Sequence, residues 1–226
     1  MEYQIFGDLL PAVSIRLNAR ESIYTQSDGM AWMTDGISME TNMRGGVMKS
    51  LGRMFTGESL FMATYTAQRD GEEITFSSCT PGEIRPLFLD GSMDYICQKS
   101  SFLCAQPSIS LSVETMRGVS SGLFGGEGFF IQRIHGQGMA WLELDGSIRE
   151  VDLLPGQRIK VSTGHVAFFE SNVNYQVEMI RGFKNILFGG EGLFLTTLEG
   201  PGKVWLQTMP ISGFASRIAQ FMPNKG

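Results

Sequence analysis

A chain of 226 residues can build one large β domain or two small ones, so length alone excludes neither. Hydrophobic residues at 42% against charged residues at 18% exclude a disordered chain, which lacks the apolar surface to offset the entropy of ordering. The formal charge of −5 argues against a general nucleic-acid binder, which needs a field of Lys and Arg to displace the counterions around phosphates.

Twenty-eight glycines against eight prolines, with 11% aromatics, suit many short strands joined by tight turns, and the expected class is all-β. The opening residues, Met1 to Asp8, lack a basic region followed by a long apolar core, so no secretory signal is expected. No apolar run approaches the ~20 residues of a membrane-spanning helix, and a cytoplasmic protein is expected. Ala19-Arg20-Glu21-Ser22 reads as a turn into a strand. Seven of the fourteen methionines follow it: Met30, Met33, Met39, Met43, Met48, Met54 and Met62. They read first as adaptable core packing and second as a binding surface around Lys49 and Arg53.

A repeat organises the rest. Leu123-Phe124-Gly125-Gly126-Glu127-Gly128-Phe129-Phe130 returns 64 residues later as Leu187-Phe188-Gly189-Gly190-Glu191-Gly192-Leu193-Phe194, and a degenerate copy runs from Met54-Phe55 through Glu58 to Phe61. Arg44, Arg117 and Arg181, each followed by Gly, precede the three copies. The Arg-to-Glu spacing is ten residues in the second and third copies and fourteen in the first, placing a four-residue insertion within Gly46 to Arg53. Hairpin turns are expected at Asp70-Gly71, Gly136-Gln137-Gly138 and Gly200-Pro201-Gly202, with Trp141-Leu142 and Trp205-Leu206 opening return strands. Pro81-Gly82-Glu83-Ile84 and Pro155-Gly156-Gln157-Arg158 read as turns leading into strands, and Val166–Phe169 and Tyr175–Met179 as strands. The copies run approximately 1–80, 81–154 and 155–226 without an evident linker, so residues 1–226 are expected to form a single domain with approximate threefold symmetry. From Ile211 to Met222, Phe214, Ile218 and Phe221 recur at helical spacing, with Ser212 as the expected cap and Pro223 as the stop. This short helix is expected to pack on the sheet as a lid, the alternatives being a second subunit or a membrane surface.

The Arg-Gly step, the Gly-Gly-Glu-Gly loop flanked by Leu-Phe, and the Trp-Leu strand resemble the bacterial relatives of the altered-inheritance-of-mitochondria (mitochondrial biogenesis) family, which are grouped with the TRAP-like (tryptophan RNA-binding attenuation protein) β-sandwich fold. The resemblance covers nearly the whole chain. It implies a pseudo-threefold architecture of stacked sheets and no catalytic residues. The association of the mitochondrial relatives with inner-membrane organisation hints at scaffolding. The fold's name does not imply RNA binding, because fold does not fix function.

The repeated loops are the candidate site. Adjacent glycines permit positive φ, and the following carboxylate can accept hydrogen bonds from the recurring Arg. The leading reading is structural: Arg117–Glu127, Arg181–Glu191 and Arg44–Glu58 pin strand crossovers as ion pairs. The alternative is an interaction surface formed by Phe55, Phe124, Gly125, Gly126, Phe188, Gly189 and Gly190, together with Gly46, Met48, Lys49 and Arg53 in the insertion. It would serve a protein partner, a small ligand or a membrane surface. Phosphate cradling fits poorly, since a Glu sits in each loop and would repel the anion. General acid work by Glu127 or Glu191 fits poorly too, because a nearby Arg holds a carboxyl ionised.

Only His135 and His165 are present, both assigned to turns, and Cys79, Cys97 and Cys104 show no Cys-x-x-Cys spacing. No metal, cofactor fingerprint or nucleophile motif is therefore expected, and the cysteines read as reduced packing residues. The expected function is a non-enzymatic interaction or scaffold domain, self-associating through sheet edges or the C-terminal helix.

Overall fold

The computed structural model describes residues 1–26, 29–42, 62–114, 131–179 and 194–222. They fall into two compact units: Met1–Asp90 with Phe102–Ser110 and Gly136–Glu143, and Gly91–Ser101 with Leu111–His135 and Leu144–Gly226. All five boundaries between the units thus fall within residues 81–154.

In the first unit, β1 (Glu2–Phe6), β2 (Ala12–Leu17), β7 (Glu72–Ser77) and β4 (Met30–Met33) form one antiparallel sheet in the order β1-β2-β7-β4. A second set of antiparallel pairings joins β10 (Phe102–Ala105), β3 (Ser22–Thr25), β6 (Met62–Ala67) and β5 (Ile37–Asn42) in that order. Period-two alternation along β2 and β7 turns Val13, Ile15, Leu17, Ile74 and Phe76 to one side. They bury against Ile23, Ile37, Tyr65, Ala67, Leu103 and Cys104 of the other strands, with Trp141 in the same core. This is sheet-on-sheet packing, as expected for strands with one apolar face.

The second unit repeats the scheme. β13 (Ile148–Leu153), β18 (Gly202–Gln207), β15 (Val166–Glu170) and β9 (Tyr95–Gln98) pair in that order, and β17 (Phe194–Glu199) lies between β14 (Arg158–Ser162) and β16 (Asn174–Met179). Leu153, Val166, Phe169, Val204 and Ile96 meet Val173, Tyr175 and Leu198 in its core.

The expected hairpins at Asp70-Gly71 and Gly200-Pro201-Gly202 are corners instead. β6 pairs with β3 and β5, whereas β7 pairs with β2 and β4. Likewise β17 pairs with β14 and β16, and β18 with β13 and β15. The reason lies in where the apolar rows point: Tyr65 of β6 meets Phe76 of β7 edge to face at 5.9 Å, across the core and not along a ladder. At the first corner the buried Glu72 carboxylate accepts from Arg69 Nε at 2.8 Å, the Gly36 amide at 3.2 Å and the Thr34 hydroxyl. The Thr34 bond, reinforced by Arg69, holds the Glu72 pKa below its ordinary value.

The turn expected at Gly136-Gln137-Gly138 is absent. One strand, β12 (Ile131–Asp145), runs straight through it, pairing with β9 over 131–134 and with β10 over 140–142. β8 (Gly82–Asp90) and β11 (Ile109–Glu114) pair with the same strand. The glycines serve close approach, not reversal. Gly136 has φ +120°, and a Cβ there would strike the Ser108 carbonyl; at Gly138, φ +145°, a Cβ would lie 2.6 Å from Ser108 Oγ. Trp141 accordingly sits inside a strand. The other turns fall as expected: Arg20 takes φ 72° before β3, β8 starts at Gly82, and Gly156 takes φ 77° before β14.

The C-terminal helix, α1 (Ile211–Ala219), is present, but Pro210 occupies the cap position and Ser212 makes no capping bond. It does not act as a lid. None of its residues is buried, and its half-buried positions are Ser212, Gly213 and Ser216, not the apolar ones.

The glycine geometry yields a paired test. Gly156→Ala meets only a positive φ in open space and is expected to cost about 1–2 kcal/mol. Gly136→Ala adds a backbone clash and is expected to cost roughly 1–3 kcal/mol more. Urea unfolding of both variants measures the difference, and equal losses would contradict the close approach at Gly136.

Candidate functional site

The interaction loops and ion pairs expected from the repeat lie outside the described residues. Arg44, Gly46, Met48, Lys49, Arg53, Phe55 and Glu58 fall in 43–61; Arg117, Phe124, Gly125, Gly126 and Glu127 in 115–130; Arg181, Phe188, Gly189, Gly190 and Glu191 in 180–193.

The described charges serve architecture. Arg133 of β12 bonds Glu114 of β11 at 3.0 Å and Asp94 at 3.2 Å, and the Glu114 bond chiefly raises its pKa. Glu150 of β13 receives Lys203 Nζ at 2.8 Å and Trp205 Nε1 at 3.0 Å from the neighbouring β18. The Trp205 ring in turn stacks on Phe168 at 4.2 Å. Buried amides close the backbone around a short 3₁₀ turn, Thr163–His165: Gln98 Nε2 donates to the Val166 and Gly164 carbonyls, and Gln207 Nε2 to that of Gly164. His165 Nδ1 lies 2.8 Å from the Gln207 carbonyl. His135 stands in β12 and not in the expected turn, because that turn does not form. Among the described residues, no group of three or more His, Cys, Asp or Glu side chains could hold a metal ion.

Cys97 and Cys104 are buried and Cys79 is exposed. Burial pushes the Cys97 thiol up to about 12, against the pull of a hydrogen bond with Gln132. Burial, aided by the Glu143 charge, raises Cys104 well above the ordinary thiol value. Both are packing thiols.

The early methionines divide. Met62 is buried, Met30 and Met33 pack on the first unit's core, and Met39 is exposed. Met43, Met48 and Met54 lie outside the described residues.

An outward apolar surface, marked by no sequence motif, is built on the β1-β2-β7-β4 sheet. Its outer face has a floor of small side chains, with Ala12, Ser14, Thr75 and Ser77 in register across β2 and β7 and Ser14 Oγ bonded to Thr75 Oγ1 at 2.6 Å. Two aromatic residues stand over this floor from the outer strands, Phe6 of β1 and Trp32 of β4, with ring centroids 6.3 Å apart. A register shift between Met30 and Trp32 lets both Met30 and Met33 reach the core while Trp32 faces away from it. Trp32 keeps 54% of its surface exposed and Phe6 40%. Leu9 and Leu10, in the turn after β1, are also exposed. That turn depends on Gly7, at φ +86° with the Leu10 carbonyl 2.8 Å from where a Cβ would stand. Among the described residues, β1 and β4 are the two outer strands of this sheet, so the aromatic residues sit beside strand edges.

Among the described residues, these features define an all-β protein of several antiparallel sheets with one short helix. Residues 3–209 match the family described as Mitochondrial biogenesis AIM24, and the chain belongs to that family, as the resemblance in its repeated loops implies. An uncharacterised protein of Streptococcus pyogenes serotype M6 is 28% identical over 95% of this chain and 88% of its own. A crystal structure of a Streptococcus pyogenes protein from structural genomics shares the fold, with TM-score 0.78, 25% identity, and coverage of 98% of this chain and 99% of its own. No helix among the described residues is long and apolar enough to cross a membrane.

The thiol assignments give a direct check. With a thiol reagent at pH 8, Cys79 should react in the native protein and Cys97 and Cys104 only after denaturation; rapid labelling of all three would contradict the burial.

Proposed function

We propose that the chain is a cytoplasmic, non-enzymatic interaction and scaffold domain of TRAP-like β-sandwich type, built of three tandem repeats, that self-associates through the outer face of β1-β2-β7-β4. The observation that carries this reading is the pair Phe6–Trp32 held over a floor of small residues beside two strand edges. Large aromatic side chains on rigid strands supply contact area at little entropic cost, and they dominate binding energies where they can be desolvated. Open edges offer unpaired backbone groups to a second copy. The pairing order supports the repeats. One central strand takes β3 and β5 or β14 and β16 as flanks, the next takes β2 and β4 or β13 and β15, and β12 combines both roles in the middle of the chain.

Sedimentation velocity over a range of concentrations tests the reading. The wild type should associate, and Trp32→Glu should weaken association by about 30-fold or more. Its unfolding midpoint should stay close to that of the wild type, because Trp32 contributes little to the core. A wild type that remains monomeric at high concentration would overturn the reading, as would unchanged association in Trp32→Glu.

A further inference from the structure

α1 approaches the protein at Ser212 and leaves its apolar residues exposed. At about 100° per residue, Ile211, Phe214 and Ile218 share an arc of about 60°, and Ser212, Gly213 and Ser216 lie opposite. A helix that packs on its own core buries the first set. Here the second set is half-buried, while Ile211, Phe214 and Ile218 remain 37%, 37% and 46% exposed. Phe221 and Met222, in the turn that follows, are also exposed. The orientation is fixed at the helix start. Pro210 abuts Gly164, where a Cβ would lie 2.8 Å from Pro210 Cβ, and Ser212 Oγ is the next nearest side chain. The Met209 amide donates to the Asp145 carbonyl at 3.3 Å.

Charge is distributed in the same sense. The 27 residues after Glu199 hold three of the eighteen basic side chains and none of the twenty-three acidic ones; Lys203 is paired with Glu150 in the sheet, which leaves Arg217 and Lys225 as the charges of the C-terminal segment. Arg217 is the one charged residue of α1. It stands about 90° from the centre of the apolar arc, on the boundary between the two faces, where a long basic side chain can reach polar headgroups while its neighbours are immersed.

We propose that α1 is a peripheral membrane anchor that lays Ile211, Phe214, Ile218 and the following Phe221 in the surface of an anionic bilayer. A bilayer accepts an apolar ridge to a depth of roughly 5–10 Å without a matching cavity. Its anionic headgroups complement a segment that carries basic side chains and no acid. A protein groove would have to supply both the cavity and a one-signed rim. One short helix gives reversible attachment, not permanent insertion.

The test is co-sedimentation of the full chain with vesicles of phosphatidylcholine alone and of phosphatidylcholine mixed with phosphatidylglycerol. The wild type should bind the mixed vesicles and not the neutral ones. Phe214→Asp/Ile218→Asp should lose binding about tenfold or more, with an unchanged circular dichroism spectrum because neither residue is buried. Arg217→Glu should weaken binding to a smaller degree, and Trp32→Glu should bind as the wild type does, which separates this proposal from self-association through the β1-β2-β7-β4 face. No binding to the mixed vesicles would overturn the proposal. So would binding that survives Phe214→Asp/Ile218→Asp, or a lipid-free dimer that this double variant dissolves.

Discussion

Each unit depends on one constraint: two consecutive strands that turn apolar rows towards each other have to lie in different sheets. Tyr65 on β6 and Phe76 on β7 meet across the first core, so the two strands cannot share a ladder, and each takes its flanks from elsewhere in the chain. The corner between them then has to satisfy a reversal without hairpin hydrogen bonds. Glu72 does this in the first unit, drawing Arg69, Thr34 and the Gly36 amide onto one carboxylate. At the second corner, Gly200 passes so close to the Leu153 and Leu154 carbonyls that a Cβ would lie 2.5 Å from each. Where no corner is made, in β12, the strand stays continuous for 15 residues.

The same constraint explains what could be read from the sequence. Strand positions and turns were legible, because alternation and the positive-φ demands at Gly71 and Gly156 are local. Strand partners were not: β6 and β7 show the same alternation whether they pair with each other or with strands about 20 to 65 residues away. Gly136 and Gly138 mimic a turn because close approach and chain reversal both call for glycine. Helical spacing revealed α1, but amphipathy tells which face is apolar and not what lies against it, so its orientation was hidden.

The candidate site was legible in a different sense. The Gly-Gly-Glu-Gly loops and the Arg-Gly steps that precede them in the sequence carry the family resemblance, and they lie outside the described residues. The surface that is described, Phe6 with Trp32, carried no motif. Trp32 stood among methionines that suggested core packing, and Met30 and Met33 do pack there. The register shift beside Trp32 that turns it outward depends on pairing with β7, a strand 40 residues further on. The strands and the helix thus place large apolar side chains away from the cores, the arrangement on which the proposed self-association rests.

Trp32 supplies its own probe of that claim. Of the three tryptophans, Trp141 and Trp205 are buried and Trp32 is the exposed one. Acrylamide quenching of the native protein should therefore report one accessible indole at low concentration, and its accessibility should fall as protein concentration rises through the association range. Quenching that does not change with concentration would contradict a self-associating face at Trp32.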